Sequence, residues 1–99
     1  MLYLTRKVGE AVMVGDTVRV TVERIERKRV HVRIHAADPR TDALVESALV
    51  PGKRQPLGGA CYMVLRSTRS GQCSLGFKAP RNIPVHRQEV YDRIAEADA

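Results

Sequence analysis

Val18-Arg19-Val20-Thr21-Val22-Glu23-Arg24-Ile25 and Val30-His31-Val32-Arg33-Ile34 alternate apolar and polar residues, and the charged Glu26-Arg27-Lys28-Arg29 separates them. In an extended chain successive side chains point to opposite faces, so each run has one face for a core and one for water. The charged tetrad between them is a turn, and the pair is an antiparallel hairpin. Toward the N-terminus the alternation continues through Val12 and Val14, then Leu2 and Leu4. Gly9-Glu10 and Gly15-Asp16 punctuate the joins, where glycine admits the positive φ of a tight turn. A four-stranded meander is predicted from residue 2 to about residue 36.

Toward the C-terminus the pattern breaks between Ala37 and Ala60. Asp38-Pro39-Arg40, Pro51-Gly52-Lys53-Arg54 and Pro56-Leu57-Gly58-Gly59 are loop signals that bracket Ala43-Leu44-Val45 and Ala48-Leu49-Val50. Asp42 can cap a short helix through Val50, and the same residues can equally extend as a strand; periodicity does not choose over so short a span. Residues 61–79 read as a second hairpin. An offset of 43 places Val20, Val22, Val30, Val32 and Ile34 on Met63, Leu65, Cys73, Leu75 and Phe77, and Ala36 on Ala79. Only the alanine is identical, so a duplicated hairpin and two unrelated amphipathic hairpins account for the pattern equally well. Five or six strands result. Ile83-Pro84-Val85 is extended, with Pro84 where no ladder hydrogen bond is needed. A helix follows from about Arg87 to Ala97, with Val90, Tyr91 and Ile94 on its apolar face. Too short to be stable alone, it must dock.

The 99 residues suffice for one domain, and a formal charge of +6 favours an anionic partner. Aromatics are confined to Phe77 and three tyrosines, which weighs against a base-stacking platform. The N-terminus lacks a secretory leader, and no apolar run approaches the length of a membrane span. Cys61 and Cys73, without CxxC or histidine at ligand spacing, read as reduced buried thiols. His31, Arg33 and His35 make one strand face cationic, which a solvated face explains; the two histidines are about 13 Å apart along the strand, too far to share a metal. No phosphate loop, GxSxG or HExxH motif is present. Cys73 with His86 could be drawn as nucleophile and base, but Cys73 sits on an apolar face where a thiol is inert. No enzyme, no metal and no cofactor are expected. Arg6-Lys7 and His86-Arg87 lie at element ends where side chains can converge on a ligand, and a helix start adds free amides there.

Met1-Leu2-Tyr3-Leu4-Thr5-Arg6-Lys7-Val8-Gly9-Glu10, Val14-Gly15-Asp16 and Ala79-Pro80-Arg81-Asn82-Ile83-Pro84-Val85-His86-Arg87-Gln88-Glu89-Val90-Tyr91 together resemble the carbon storage regulator family of bacteria, CsrA/RsmA. Two separated motifs in the right order, with the right flanking strands and helix, carry the resemblance over about residues 1–36 and 71–94. It implies a mainly β fold with one C-terminal α-helix: a small antiparallel sheet in an intertwined homodimer whose first and last strands cross to the partner's central strands. It further implies a cytoplasmic RNA-binding regulator with no membrane and no small-molecule substrate. Such a regulator binds GGA in hairpin loops of mRNA leaders, represses translation or alters mRNA stability, and also takes regulatory small RNAs as partners.

Carried over by position, the resemblance assigns RNA contacts to Leu4, Thr5, Arg6 and Lys7 on the first strand, with Arg6 serving phosphates or bases. Ile83, Val85, His86 and Arg87 complete the site. Arg87 is the strongest single candidate because its planar guanidinium makes bidentate contacts. Loop presentation suits this mode, since an A-form duplex hides its base edges and a loop exposes them. The departure is a stretch of about forty residues, near 37–71, that an ordinary member lacks. The chain therefore reads as a single carbon-storage-regulator-like domain, 1–99, interrupted by an insertion, with both hairpins expected in one enlarged sheet. The insertion either extends the basic surface through Arg40, Lys53, Arg54, Arg66 and Arg69, or serves protein contacts. In the second case a divergent member acts through mixed dimers that titrate a sister regulator.

Overall fold

A computed structural model describes residues 1–38 and 41–97; the Pro39-Arg40 loop signal, Arg40 as a basic-surface residue, and the Asp98-Ala99 end of the tail lie outside them. Among the described residues nine strands form two antiparallel sheets. One has the order β1 (Leu2–Lys7), β8 (Gln72–Lys78), β7 (Cys61–Arg69), β6 (Arg54–Gly58). The other runs β5 (Thr41–Leu49), β4 (Arg29–Asp38), β3 (Val18–Glu26), β2 (Ala11–Val14), β9 (Val85–Arg87). Helix α1 (Gln88–Ala97) follows β9 directly.

The alternation in the two hairpins sets the core. Val20, Val22, Val30, Val32 and Ile34 from one sheet meet Met63, Leu65, Cys73, Leu75 and Phe77 from the other in a single buried cluster, completed by Val12, Val14, Leu49 and Leu57. Their polar neighbours face outward, as a two-layer sandwich with one wet side per sheet requires. On the outer face of β4, His31 pairs with Glu26 and Arg33 with Glu46. Among the described residues no group of three or more histidine, cysteine or acidic side chains could hold a metal. No helix there is long and apolar enough to cross a membrane.

Two expectations are corrected by the strand order. The hairpins β3–β4 and β7–β8 lie in opposite sheets, not in one enlarged sheet. The meander holds for β2, β3 and β4, but β1 leaves it and pairs with β8, placing Leu2 opposite Phe77, Leu4 opposite Leu75 and Arg6 opposite Cys73. Gly9, at φ +89°, turns the chain from one sheet to the other, and its N–H donates to the Val22 carbonyl at 2.8 Å. Within the stretch 37–71, expected as an insertion, the described residues form the end of β4 and all of β5, β6 and β7. The undecided span is extended from 42 to 49, because these residues complete the edge of the second sheet beside β4.

The C-terminal segment follows expectation with small shifts. Strand β9 begins one residue after Pro84, whose carbonyl accepts the Gly15 N–H at 2.8 Å, and the helix begins at Gln88. Val90 and Tyr91 are half-buried and Ile94 is exposed, so the helix docks through its first two turns only. The Tyr91 hydroxyl donates to Asp16 Oδ1 at 3.2 Å and ties it to the turn after β2.

Candidate nucleic-acid interface

β1 ends one sheet and β9 ends the other, so each presents an outer edge with no ladder neighbour. β9 lies on β2, with Val12 opposite Arg87, Met13 opposite His86 and Val14 opposite Val85. Because β1 runs directly into β2, the two free edges flank one end of the sandwich. A cleft of about 270 Å³ opens between them, lined by Met1 and Leu2 on one side, Ile83 and Val85 on the other, and Lys78 and Arg81 at its rim.

Arg6 fastens the two edges together. Alternation on β1 sends Leu2, Leu4 and Arg6 toward the core and Tyr3, Thr5 and Lys7 outward. The Arg6 side chain is only 4% exposed. Its two terminal nitrogens donate to both carboxylate oxygens of Glu89, at 3.0 and 3.2 Å, while Nε also donates to the Thr5 carbonyl at 2.8 Å and Nη1 to the Ala11 carbonyl at 3.3 Å. Glu10 approaches to 4.0 Å from the turn. A buried guanidinium must have its charge and its donors met, and these partners meet them. The Arg6 guanidinium, expected to serve phosphates or bases, is turned inward and engaged by these partners. Glu89 answers in kind. The Arg6 hydrogen bonds, then its own backbone N–H at the helix start and the nearby charge of Arg87, hold its carboxyl down to about 2.

The other expected residues have distinct places. Leu4, Ile83 and Val85 are half-buried against the core, and Ile83 and Val85 line the cleft. Thr5 and Lys7 are exposed, and the Lys7 N–H donates to Glu10 Oε1 at 2.8 Å. His86 is half-buried opposite Met13. Arg87 is exposed and, among the described residues, its side chain takes part in no hydrogen bond or ion pair, so its planar donor fork is available. Sequence reasoning does not single out Lys78 and Arg81. The signal for Arg81 is its position inside the Ala79–Val85 motif, and Lys78 belongs with it only because β8 is the neighbour of β1.

The surroundings of Cys73 disfavour it as a nucleophile. Its thiol donates to the Arg6 carbonyl at 3.5 Å, burial pushes it up to about 11, and His86 lies in the other sheet. Cys61 is likewise buried and free. On the outer face of β1, Tyr3 packs above Gly76, and the Arg66 guanidinium lies 4.7 Å over the Tyr3 ring. That stack consumes the most exposed aromatic near the cleft.

The arrangement joins two unpaired strand edges, an apolar wall and several free cations. It suits a short unpaired stretch of polyanion whose base edges can be met by backbone groups. The model of CsrA, a global regulator protein family, matches residues 1–41 and 59–96 of the chain, and the gap between the two matched parts falls within the expected insertion. No solved structure matches the chain.

Proposed function

The chain belongs to the CsrA family of global regulators, RNA-binding regulators of translation, and from that premise we propose that it recognises GGA in RNA hairpin loops. On this reading it occupies mRNA leaders, represses translation initiation or alters transcript stability, and is itself titrated by small RNAs that carry the same motif. The observation that supports it most is Arg87, exposed and without a hydrogen bond or ion pair among the described residues, on the same strand as Val85 of the cleft wall. Backbone groups on the two free edges read the splayed bases, Leu4, Ile83 and Val85 support them, and Thr5, Lys7, His86 and Arg87 hold phosphates and base edges. Arg6 acts as a positioning residue through Glu89.

The alternative, titration of a sister regulator through mixed dimers, requires a first and last strand free to exchange. Here β1 is engaged with β8 and β9 with β2 of the same chain, which favours the RNA reading. The test is a titration of a hairpin with GGA in its loop against one with CCA. Selective binding to the first, with log K falling against log salt by roughly 0.7 per phosphate neutralised, is expected. Equal binding to both, or a flat salt response, would refute the proposal.

A further inference from the structure

The two sheets repeat one another at a constant offset of 43 residues, well beyond the single hairpin. Val20–Ile34 and Val22–Val32 in one sheet correspond to Met63–Phe77 and Leu65–Leu75 in the other. The register slip between Val22 and Arg24 recurs between Leu65 and Ser67. The turn residue Lys28, at φ +58°, corresponds to Gly71 at φ +76°. At the edges, Leu2–Phe77 and Arg6–Cys73 correspond to Val45–Ile34 and Leu49–Val30, so β5 occupies the place of β1. Gly9 and Gly52 have φ of +89° and +87°. The Glu10 N–H to Lys7 carbonyl bond, 3.0 Å, reappears as Lys53 to Val50, 3.2 Å. Residues 2–36 and 45–79 are thus one four-strand unit present twice.

The C-terminal segment has no counterpart after the first unit. Among the described residues β9 and α1 occur once, seated on β2, and no strand lies on the outer edge of the corresponding strand β6. Three features of the bare end fit that absence. Leu49, fully buried, stands where the other unit has Arg6; without a counterpart of Glu89, an aliphatic residue is the one that can be buried there. Pro56 stands where Met13 does, and a proline on an outermost strand blunts it against adding another. The Leu4-Thr5-Arg6-Lys7 positions become Ser47-Ala48-Leu49-Val50, which carry no charge. Lys53 and Arg54 remain, with Arg54 stacked 4.5 Å over the Tyr62 ring, but no residue corresponds to Arg87.

We infer that this chain is a self-contained double unit that binds RNA as a monomer through one site, at the β1–β9 end, while the β5–β6 end is blind. Every strand position that a second copy would supply is filled from within the chain or closed by Pro56. The inference rests on the proposed RNA reading for the ligand, and its test separates the two. Native mass spectrometry of the full chain is run free and with excess GGA-loop hairpin, then with one RNA carrying two such hairpins. A free species of one chain, one hairpin per chain, and two chains on the double RNA are expected. A two-chain species in the RNA-free protein, or two separate hairpins bound to one chain, would overturn the inference and leave the RNA reading standing. Binding to neither RNA would overturn both the RNA reading and the site count.

Discussion

Exchanging the residues at positions 6 and 49 tests whether charge compensation is what makes the two ends differ. Leu49→Arg places a guanidinium at a position with no exposure, beside no carboxylate equivalent to Glu89. It forfeits about 2 kcal/mol of leucine burial and leaves a buried charge uncompensated, a cost of about 3 to 5 kcal/mol. Against a total stability of about 5 to 15 kcal/mol for a domain, that removes about a third at the least and all of it at the most. With a urea dependence of about 1.5 kcal/mol per molar, the midpoint falls by more than about 3 M, or the variant is unfolded at the outset. Arg6→Leu does the reverse: it repeats the solution already present at position 49, and the Glu89 it abandons is already 53% exposed and stays solvated. Replacing a buried ion by a well-packed apolar group is close to neutral, so its midpoint shifts by less than about 1 M. Urea melts of both variants followed by circular dichroism decide the matter. A Leu49→Arg variant as stable as the parent, or an Arg6→Leu variant as damaged as Leu49→Arg, would refute the reasoning.

Arg87→Ala should weaken GGA-hairpin binding about 5- to 150-fold, the equivalent of about 1 to 3 kcal/mol, with circular dichroism unchanged because the side chain has no hydrogen bond to lose; an unaltered affinity removes Arg87 from the site. Gly76→Ala introduces a Cβ only 2.7 Å from the Tyr3 ring and from the Met1 sulfur, so both side chains must be displaced from the sheet face, and destabilisation of about 1 to 3 kcal/mol should appear in thermal melts; a wild-type melting temperature would mean the two side chains move freely. Glu89, held down to about 2 in the folded chain, contributes stability that is complete above about pH 5 and is lost as pH falls toward 2, since a depressed carboxyl favours the folded state only while ionised. The stability gap between the parent and Glu89→Gln should therefore close with acid, and a gap independent of pH would show that the Arg6 pair does not report on folding.

The two hairpins and the helix were legible because period two and a short apolar stripe are strong local signals, and Val20 to Ile34 and Met63 to Phe77 all face the core as their alternation requires. Alternation does not carry which sheet each strand joins. Leu2 and Leu4 have the same pattern whether β1 extends the meander beside β2 or crosses to β8; the choice is made by Gly9 and by the inward Arg6, whose partner Glu89 is 83 residues away. The same limit hid the double unit. Between residues 2–36 and 45–79 only Gly9 and Gly52, Gly15 and Gly58, and Ala36 and Ala79 are identical. The two glycine pairs mark left-handed turns, where the backbone leaves little choice of side chain. Everywhere else the second unit needed only residues of suitable polarity. Its outermost strands were freed even from that, since with no strand on β6 and no acid to answer an arginine, Ser47, Leu49 and Pro56 could replace Leu4, Arg6 and Met13. The stretch that most resembled an unrelated insertion is therefore the part of the fold that lost its partner, and the divergence of β5 and β6 is itself the mark of the missing second site.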